Sequence, residues 1–362
     1  MKTPSTDDML ETPCVLVDWQ QVKSNIVKIA ELCKDNGVRF MPHIKTHKSV
    51  AIAKLELEAG ACGLTCAKIG EAEAMLASGV RRIFLAHSIA SPKKIPRLLA
   101  LRQKLDELIL AVTSTAHAKH LDSLLKNSGQ QFPVLLALDT GLGREGVRSI
   151  QELETLKECV DQSQSFSYRG IYSHEGFTYR TQPRDIPHAA LGVADKLRAA
   201  SKALGGGELW PGCSVTVKHI VKQKGMTGVR PGAFVFGDIV LSLGTHSMEW
   251  EDLALCVAST VIDKPEKGLA LIDAGTKVFS SDKNPNYPNA IPLDQSDYAL
   301  TRMSEEHGML TGPAVDSLHI GQIVYLIPTH VCPVINLTHH IQILDDKGNM
   351  RPSIVDARGA VT

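Results

Sequence analysis

The 362-residue sequence lacks an excess of either charge: 39 lysines and arginines face 39 aspartates and glutamates. A formal net charge of zero argues against a nucleic-acid binder and against a membrane-surface protein, both of which usually carry a basic excess. No apolar stretch reaches the roughly 18 residues of a membrane span, so no transmembrane helix is expected. The opening "MKTPSTDDMLETP" lacks the apolar core of a secretory signal. The 8 cysteines follow no framework spacing and read as reduced thiols in a cytoplasm. Repeats, low-complexity tracts and GxGxxG or Walker loops are missing too, so the common nucleotide motifs do not apply.

What is present is ordinary for a soluble globular protein: 43% hydrophobic and 22% charged residues, with length for two domains. Short apolar runs alternate with helical patterns over the first two thirds, at 38–44, 62–67, 82–87, 108–114, 133–140, 167–176, 207–214 and 232–238. Their nearly continuous apolar character suits strands covered on both faces. Between them, Val22, Ile26, Ile29 and Leu32 recur at helical spacing, with Gly37 placed to end that helix. Segments 91–107 and 115–129 behave likewise, the first with Ser91 as N-cap and Pro92 at the first helical position. This alternation predicts an α/β fold, and eight strands predict a TIM-like (β/α)8 barrel rather than an open sheet. After Leu243 the pattern changes. Residues 251–275 read as two strands about a turn at Lys264–Gly268, and 320–359 as three or four antiparallel strands with "DDKGN" as a turn. The expected division is a barrel over 18–243 and a mostly antiparallel β domain over 244–362, with residues 1–17 packing on the latter.

Five stretches carry residues suited to chemistry. In "FMPHIKTHKSV", Lys45 stands where the first barrel strand ends, on the face where barrels build sites, and a desolvated amine there can form a Schiff base. "ALDTGLGREGV" runs from a buried strand into a glycine-rich turn bearing Arg144, able to hydrogen-bond an oxyanion or phenolate. In "GIYSHEGF", Tyr172 and His174 have the spacing of one strand face, where a tyrosine can meet a flat ring. "WPGCSVTVK" offers Gly212, Cys213, Ser214 and Thr216 before a helix start, a natural phosphate site. In "IPTHVCPVINL", His330 and Cys332 are two apart in a strand-like run, so both leave one face and can grip a soft or borderline cation. Each has a plainer reading: a solvated lysine, a glycine turn, barrel-lining rings, an N-cap by Ser214, and a core cysteine. Cys62 and Cys66 read as core, His339–His340 as an exposed strand end, and Glu71 and Glu73 as solvated on a helix.

Together and in order, "PHIKTHK", "DTGLGREG", "YSHEG", "PGCSVT", "RPGAFVFGD", "IDAGTKVFSSD", "SEEHG" and "PTHVCPVINL" resemble the fold-type III pyridoxal-phosphate enzymes of the D-serine dehydratase and D-threonine aldolase group. These are relatives of alanine racemase with a metal added. The resemblance implies Lys45 as the Schiff-base lysine, Arg144 at the ring hydroxylate, Tyr172 near the pyridine ring, and Gly212, Cys213, Ser214 and Thr216 at the phosphate. It also implies His330 and Cys332 at a divalent metal, and a homodimer. The thiolate favours zinc over manganese or magnesium. The expected reaction is dehydration and deamination of a β-hydroxy-D-amino acid such as D-serine or D-3-hydroxyaspartate, with Lys45 as base at Cα. The alternative is retro-aldol cleavage to glycine and an aldehyde, with His47 or His174 as base. Racemisation needs no metal pair, and a non-enzymatic cofactor carrier lacks the β domain. Phe234 stands where relatives often carry tyrosine, and "PGCSVT" is less glycine-rich than many such loops.

Overall fold

The described residues of this computed structural model, Met1 and 10–362, open on strand β1 (Cys14–Asp18) and helix α1 (Trp19–Asp35), which is followed by Gly37 at φ 65°. Only glycine takes that left-handed conformation without strain, so the helix stops there. The chain forms two units. One comprises Val27–Lys45, Ser49–Gly232 and Ala360–Thr362; the other comprises Met1–Ile26, Thr46–Lys48 and Ala233–Gly359.

The first unit holds eight short parallel strands. They are β2 (Arg39–Phe40), β3 (Leu64–Cys66), β4 (Arg82–Leu85), β5 (Glu107–Val112), β6 (Phe132–Ala137), β7 (Phe166–Tyr172), β8 (Glu208–Trp210) and β9 (Gly228–Val229). Strands β3 to β8 are hydrogen-bonded in sequence order and β2 pairs with β9. A His43–Thr65 bridge joins the β2 extension to β3, and the Thr227 N–H donates to Leu209 O beyond β8, so the sheet curls into a barrel. Helices α2 (Val50–Glu58), α3 (Ile69–Met75), α4 (Ile95–Arg102), α5 (Thr115–Leu125), α6 (Ile150–Asp161), α7 (Ile186–Ala203) and α8 (Val217–Ile220) lie between the strands. The hydroxyls of Ser49, Ser114 and Ser149 accept N–H bonds at the starts of α2, α5 and α6. Each such cap is worth about 1 kcal/mol. Ile109 and Ala111, and Leu135 and Ala137, two apart on their strands, meet Met41, Phe84, Tyr172 and Trp210 in one buried cluster.

Two expectations are corrected here. The apolar run 232–238 is no strand: Ala233–Val235 forms a 3-10 turn and Gly237 N–H bonds back to Ala233 O. The eighth strand is Gly228–Val229, too short to show a pattern, and the 232–238 run is apolar because the turn is buried. Glu71 is not solvated. It is 2% exposed and accepts the Ala67 and Lys68 N–H groups at the start of α3.

The second unit contains β1, β10 (Leu255–Glu266), β11 (Leu269–Ile272), β12 (Ala290–Pro292), β13 (Ala299–Met303), β14 (Gly308–Thr311), β15 (Ile323–Pro328), β16 (His340–Leu344) and β17 (Met350–Ile354), with short helices α9 (Thr276–Phe279) and α10 (Val331–Leu337). The order β11-β14-β13-β12-β15-β10 closes on itself, because β10 also pairs with β11. Register shifts after Val261 and Asp263 bend the long β10 so that it serves both neighbours. Pairing is antiparallel throughout except for β1 with β16. Leu16, Ile239, Leu253, Cys256, Ala258 and Ile327 form its core. The run at 327–337 is not one strand: β15 ends at Pro328, His330 is an N-cap and α10 follows. Val331, Val334 and Ile335 are buried at helical spacing, and Pro333 sits in the first turn, where proline is tolerated. Among the described residues, no helix is long and apolar enough to cross a membrane.

Gly228 shows how tightly the barrel closes: a Cβ there would lie 2.1 Å from the ring of buried Trp210. Gly228→Ala should lower stability by about 1–3 kcal/mol through overpacking. Gly192→Ala, in α7 with nothing within 4 Å, should leave stability unchanged or raise it. Thermal unfolding of the two variants checks the contrast.

Candidate active site

Four stretches leave the C-terminal ends of barrel strands and so share one rim, the face where barrels of this kind place chemistry. Lys45 lies in a turn past β2, half-buried, with its backbone N–H donating to His43 Nδ1 at 3.4 Å. Past β6, the Asp139 carboxylate accepts the N–H groups of Gly141, Leu142 and Gly143 at 2.8–3.2 Å. Burial works against that charge, but the Gly141, Gly143 and Leu142 N–H groups outweigh it and hold the carboxyl below its usual range. Asp139 is thus the clamp of the glycine loop. The Arg144 side chain that the loop displays is 57% exposed, 3.6 Å from Glu145.

Tyr172 ends β7. Its ring packs edge-on against Phe84 with centroids 5.1 Å apart, and the Arg230 guanidinium lies 5.2 Å from its centroid. Burial, then the nearby Glu145 charge, pushes the phenol well above its ordinary pKa. His174 follows the strand, beyond the alternation that linked it to Tyr172. Its Nδ1 is 2.6 Å from Gly212 O. A carbonyl only accepts, so Nδ1 carries the proton and Nε2 keeps a lone pair. Burial, then the Lys45 charge, pulls this imidazole down to about 3, so it is neutral at physiological pH.

The loop after β8 is wholly buried from Pro211 to Val217. The Gly212 N–H donates to Glu175, while the Ser214 hydroxyl accepts from Gly232 N at 3.2 Å rather than capping α8. Burial pushes the Cys213 thiol up to about 11. Glu175 is fully buried and also accepts the Ser173 hydroxyl; burial raises its pKa. Arg230, equally enclosed, donates to Ser173 O and Trp210 O. Neither Glu175 nor Arg230 was singled out from the sequence, although both stand inside motifs quoted above. His47 follows Lys45 by two residues. It is 1% exposed, in the Thr46–Lys48 stretch that belongs to the β unit.

In that unit His330 and Cys332 come together, not through strand alternation but across the start of α10. The Thr46 hydroxyl lies 3.3 Å from Cys332 Sγ. His330 Nδ1 is 2.6 Å from Asp282 Oδ2, and the ring is 46% exposed. Asp238 is buried and spends its oxygens on the N–H groups of Leu241 at 2.9 Å and Val331 at 3.5 Å. Burial opposes protonation of His330, but the Cys332 sulfur, Asp238 and Asp282 reverse that and lift it to about 10. Among the described residues, no cluster of three or more histidine, cysteine, aspartate or glutamate side chains forms a metal cage.

The barrel rim has unmet polar capacity. Among the described residues, the buried hydroxyls of Tyr172 and Thr216 have no hydrogen-bond partner. Leaving such groups unpaired costs about 1–3 kcal/mol each, a cost that a polar, anionic ring compound with a phosphate would remove. Residues 17–240 match the family model of the alanine racemase N-terminal domain, and residues 254–344 that of a putative serine dehydratase domain. The chain belongs to the fold-type III pyridoxal-phosphate enzymes. It is similar to D-threo-3-hydroxyaspartate dehydratase of Delftia sp. (strain HT23), at 30% identity over 89% of this chain and 91% of that one. It is also similar to 3-hydroxy-D-aspartate aldolase of Paracoccus denitrificans (strain Pd 1222), at 25% identity over 92% and 89% of the two chains. Among solved structures, a histidine-to-alanine variant of D-threo-3-hydroxyaspartate dehydratase superimposes with TM-score 0.86, at 28% identity over 96% of both chains. A cysteine-to-alanine variant of that enzyme in the metal-free form superimposes with TM-score 0.87, at 27% identity over 95% and 97% of the chains.

In this pyridoxal-phosphate enzyme, the buried neutral His174 makes a thermodynamic signature. Its folded pKa of about 3 lies below the ordinary 6.5, so above 6.5 neither state is charged. Below that, the unfolded chain takes a proton that the folded chain refuses, and stability falls toward pH 3 by about 1.4 kcal/mol per pH unit. In cofactor-free protein, His174→Asn should flatten the acid arm of the stability curve, read by urea unfolding between about pH 7 and about pH 4.5. An unchanged slope would show that the ring is not held neutral.

Proposed function

We propose that the protein dehydrates and deaminates a β-hydroxy-D-amino acid, D-3-hydroxyaspartate or D-serine in type, to a 2-keto acid and ammonia. In this reading residues 18–243 hold the cofactor and 244–362 the metal. The observation that carries it is the pairing of His330 with Cys332 beside the Thr46 hydroxyl. An imidazole and a thiolate suit zinc ahead of manganese or magnesium, and two protein ligands leave positions open. Support comes from the two dehydratase variants: the substituted histidine and cysteine stand two positions apart, as His330 and Cys332 do, and the cysteine variant is described as metal-free.

Lys45 would hold the aldehyde of pyridoxal phosphate. Tyr172, Arg144, Ser214 and Thr216 would meet its ring and phosphate, with Cys213 lining the loop. The Gly212 N–H is engaged by Glu175, which makes that glycine a shape element of the loop rather than a donor. Pyridoxal phosphate, when bound, supplies an electron sink for charge at the substrate's Cα. A metal ion, when bound, supplies a Lewis acid for the β-hydroxyl. The Lys45 amine takes the Cα proton, and the half-burial of its side chain keeps competing water away from it. His174, neutral and fixed by Gly212 O, orients without supplying charge. The reading includes a homodimer, as the resemblance implies; light scattering should give twice the mass of one chain.

The test offers D-serine, D-threonine and D-3-hydroxyaspartate to protein loaded with pyridoxal phosphate and zinc, and quantifies keto acid, ammonia and glycine. Keto acid with equimolar ammonia is expected. Lys45→Ala should lower turnover by about 10²–10⁴-fold, the range typical of a lost proton-transfer group. Chelation should abolish activity and zinc should restore it. Glycine plus an aldehyde would instead make the protein an aldolase.

A further inference from the structure

Two carboxylates stand near His330, and they are not equivalent. Asp238 is buried and its two oxygens accept backbone N–H groups at the turn before β10 and at the start of α10. Its hydrogen bonds therefore go to the chain, and only its charge reaches the ring. Asp282 is 54% exposed and makes a 2.6 Å contact to His330 Nδ1. A carboxylate accepts only, so Nδ1 is the ring's donor to Asp282, and Nε2 is the nitrogen left to exchange its proton for a cation.

The backbone invests in this placement. Ser280, two residues before Asp282, adopts φ 72° and ψ 162°, a region that side-chain-bearing residues rarely enter. Its N–H bonds back to Thr276 O at 2.9 Å, and its hydroxyl accepts the Asp282 N–H at 3.1 Å. The strained serine turns the chain out of α9, and its side chain then fixes the aspartate that follows.

We propose that Asp282 is a positioning residue for the metal site: by holding the Nδ1 proton of His330 it aims Nε2 at the cation and raises the basicity of that ligand. This rests on the metal reading given above. Carboxylate partners of histidine ligands set tautomer and ring orientation, and their loss typically weakens metal binding by about 10–100-fold.

The experiment measures zinc affinity of the pyridoxal-phosphate-loaded protein by competition with a chromophoric chelator, for Asp282→Ala, Asp282→Asn and His330→Ala. Circular dichroism checks that each is folded. Asp282→Ala should weaken zinc by about 10–100-fold and Asp282→Asn by less, since the amide oxygen still accepts the Nδ1 proton. Saturating zinc should return much of the turnover of Asp282→Ala but not of His330→Ala. If His330→Ala loses zinc while Asp282→Ala binds within about two-fold of the unaltered protein, the positioning role is wrong and the metal site stands. If His330→Ala itself keeps full zinc affinity, the metal reading fails and this proposal with it.

Discussion

Glu175 and Arg230 are both buried, and the barrel rim is organised around the hydrogen bonds they make. Glu175 accepts the Ser173 hydroxyl and the Gly212 N–H; Arg230 donates to the carbonyls of Ser173 and Trp210. Through these bonds the ends of β7, β8 and β9 are fixed relative to one another. Removing either side chain would leave the buried groups it serves without their partner, at about 1–3 kcal/mol for each such group. The consequences run outward. Gly212, held by Glu175, presents its carbonyl to His174; the Arg230 guanidinium lies over Tyr172 and over Phe84. Gly212, His174, Tyr172 and Phe84 thus hang on two enclosed side chains.

The β unit solves a different problem with similar means. Strand β15 must stop and helix α10 must start within two residues, so that His330 and Cys332 face each other. Asp238 meets the orphan N–H of Val331 at the helix start, which spares a side-chain cap at His330 and leaves the imidazole available. The Thr46 hydroxyl beside Cys332 gives the sulfur a polar neighbour. A thiol left among apolar groups alone would resist ionisation, as Cys256 does in the core of the same unit.

Much of this was legible in the sequence. Strand–helix alternation gave the parallel barrel, since the buried strands are apolar throughout and the helices carry spaced apolar residues. The turn at "DDKGN" and the β10–β11 hairpin were equally plain. Where the reading failed, burial had been mistaken for extension. The runs 232–238 and 327–337 are apolar because they are enclosed, and enclosed turns and short helices look like buried strands. Gly228–Val229, a real strand, was too short to register. Glu71 shows the converse: a glutamate reads as solvated until its backbone partners are known. Asp282 and Thr46 were invisible for a third reason. Their partners lie 48 and 286 residues away, and only the folded chain brings them together.

The protonation state of His174 bears on which bond breaks. Retro-aldol cleavage requires a base at the β-hydroxyl, and a base works best with a pKa near the working pH. An imidazole pulled down to about 3 by burial and by the Lys45 charge is a poor acceptor for a hydroxyl proton. Dehydration makes no such demand. It asks for a base at Cα, the role proposed for Lys45, and for help to the departing hydroxyl, which His174 does not give while its one ring proton is held by Gly212 O. In the proposed reading that task belongs to a metal held by His330 and Cys332. A buried, neutral imidazole beside the half-buried Lys45 is the arrangement that the proposed dehydration draws on.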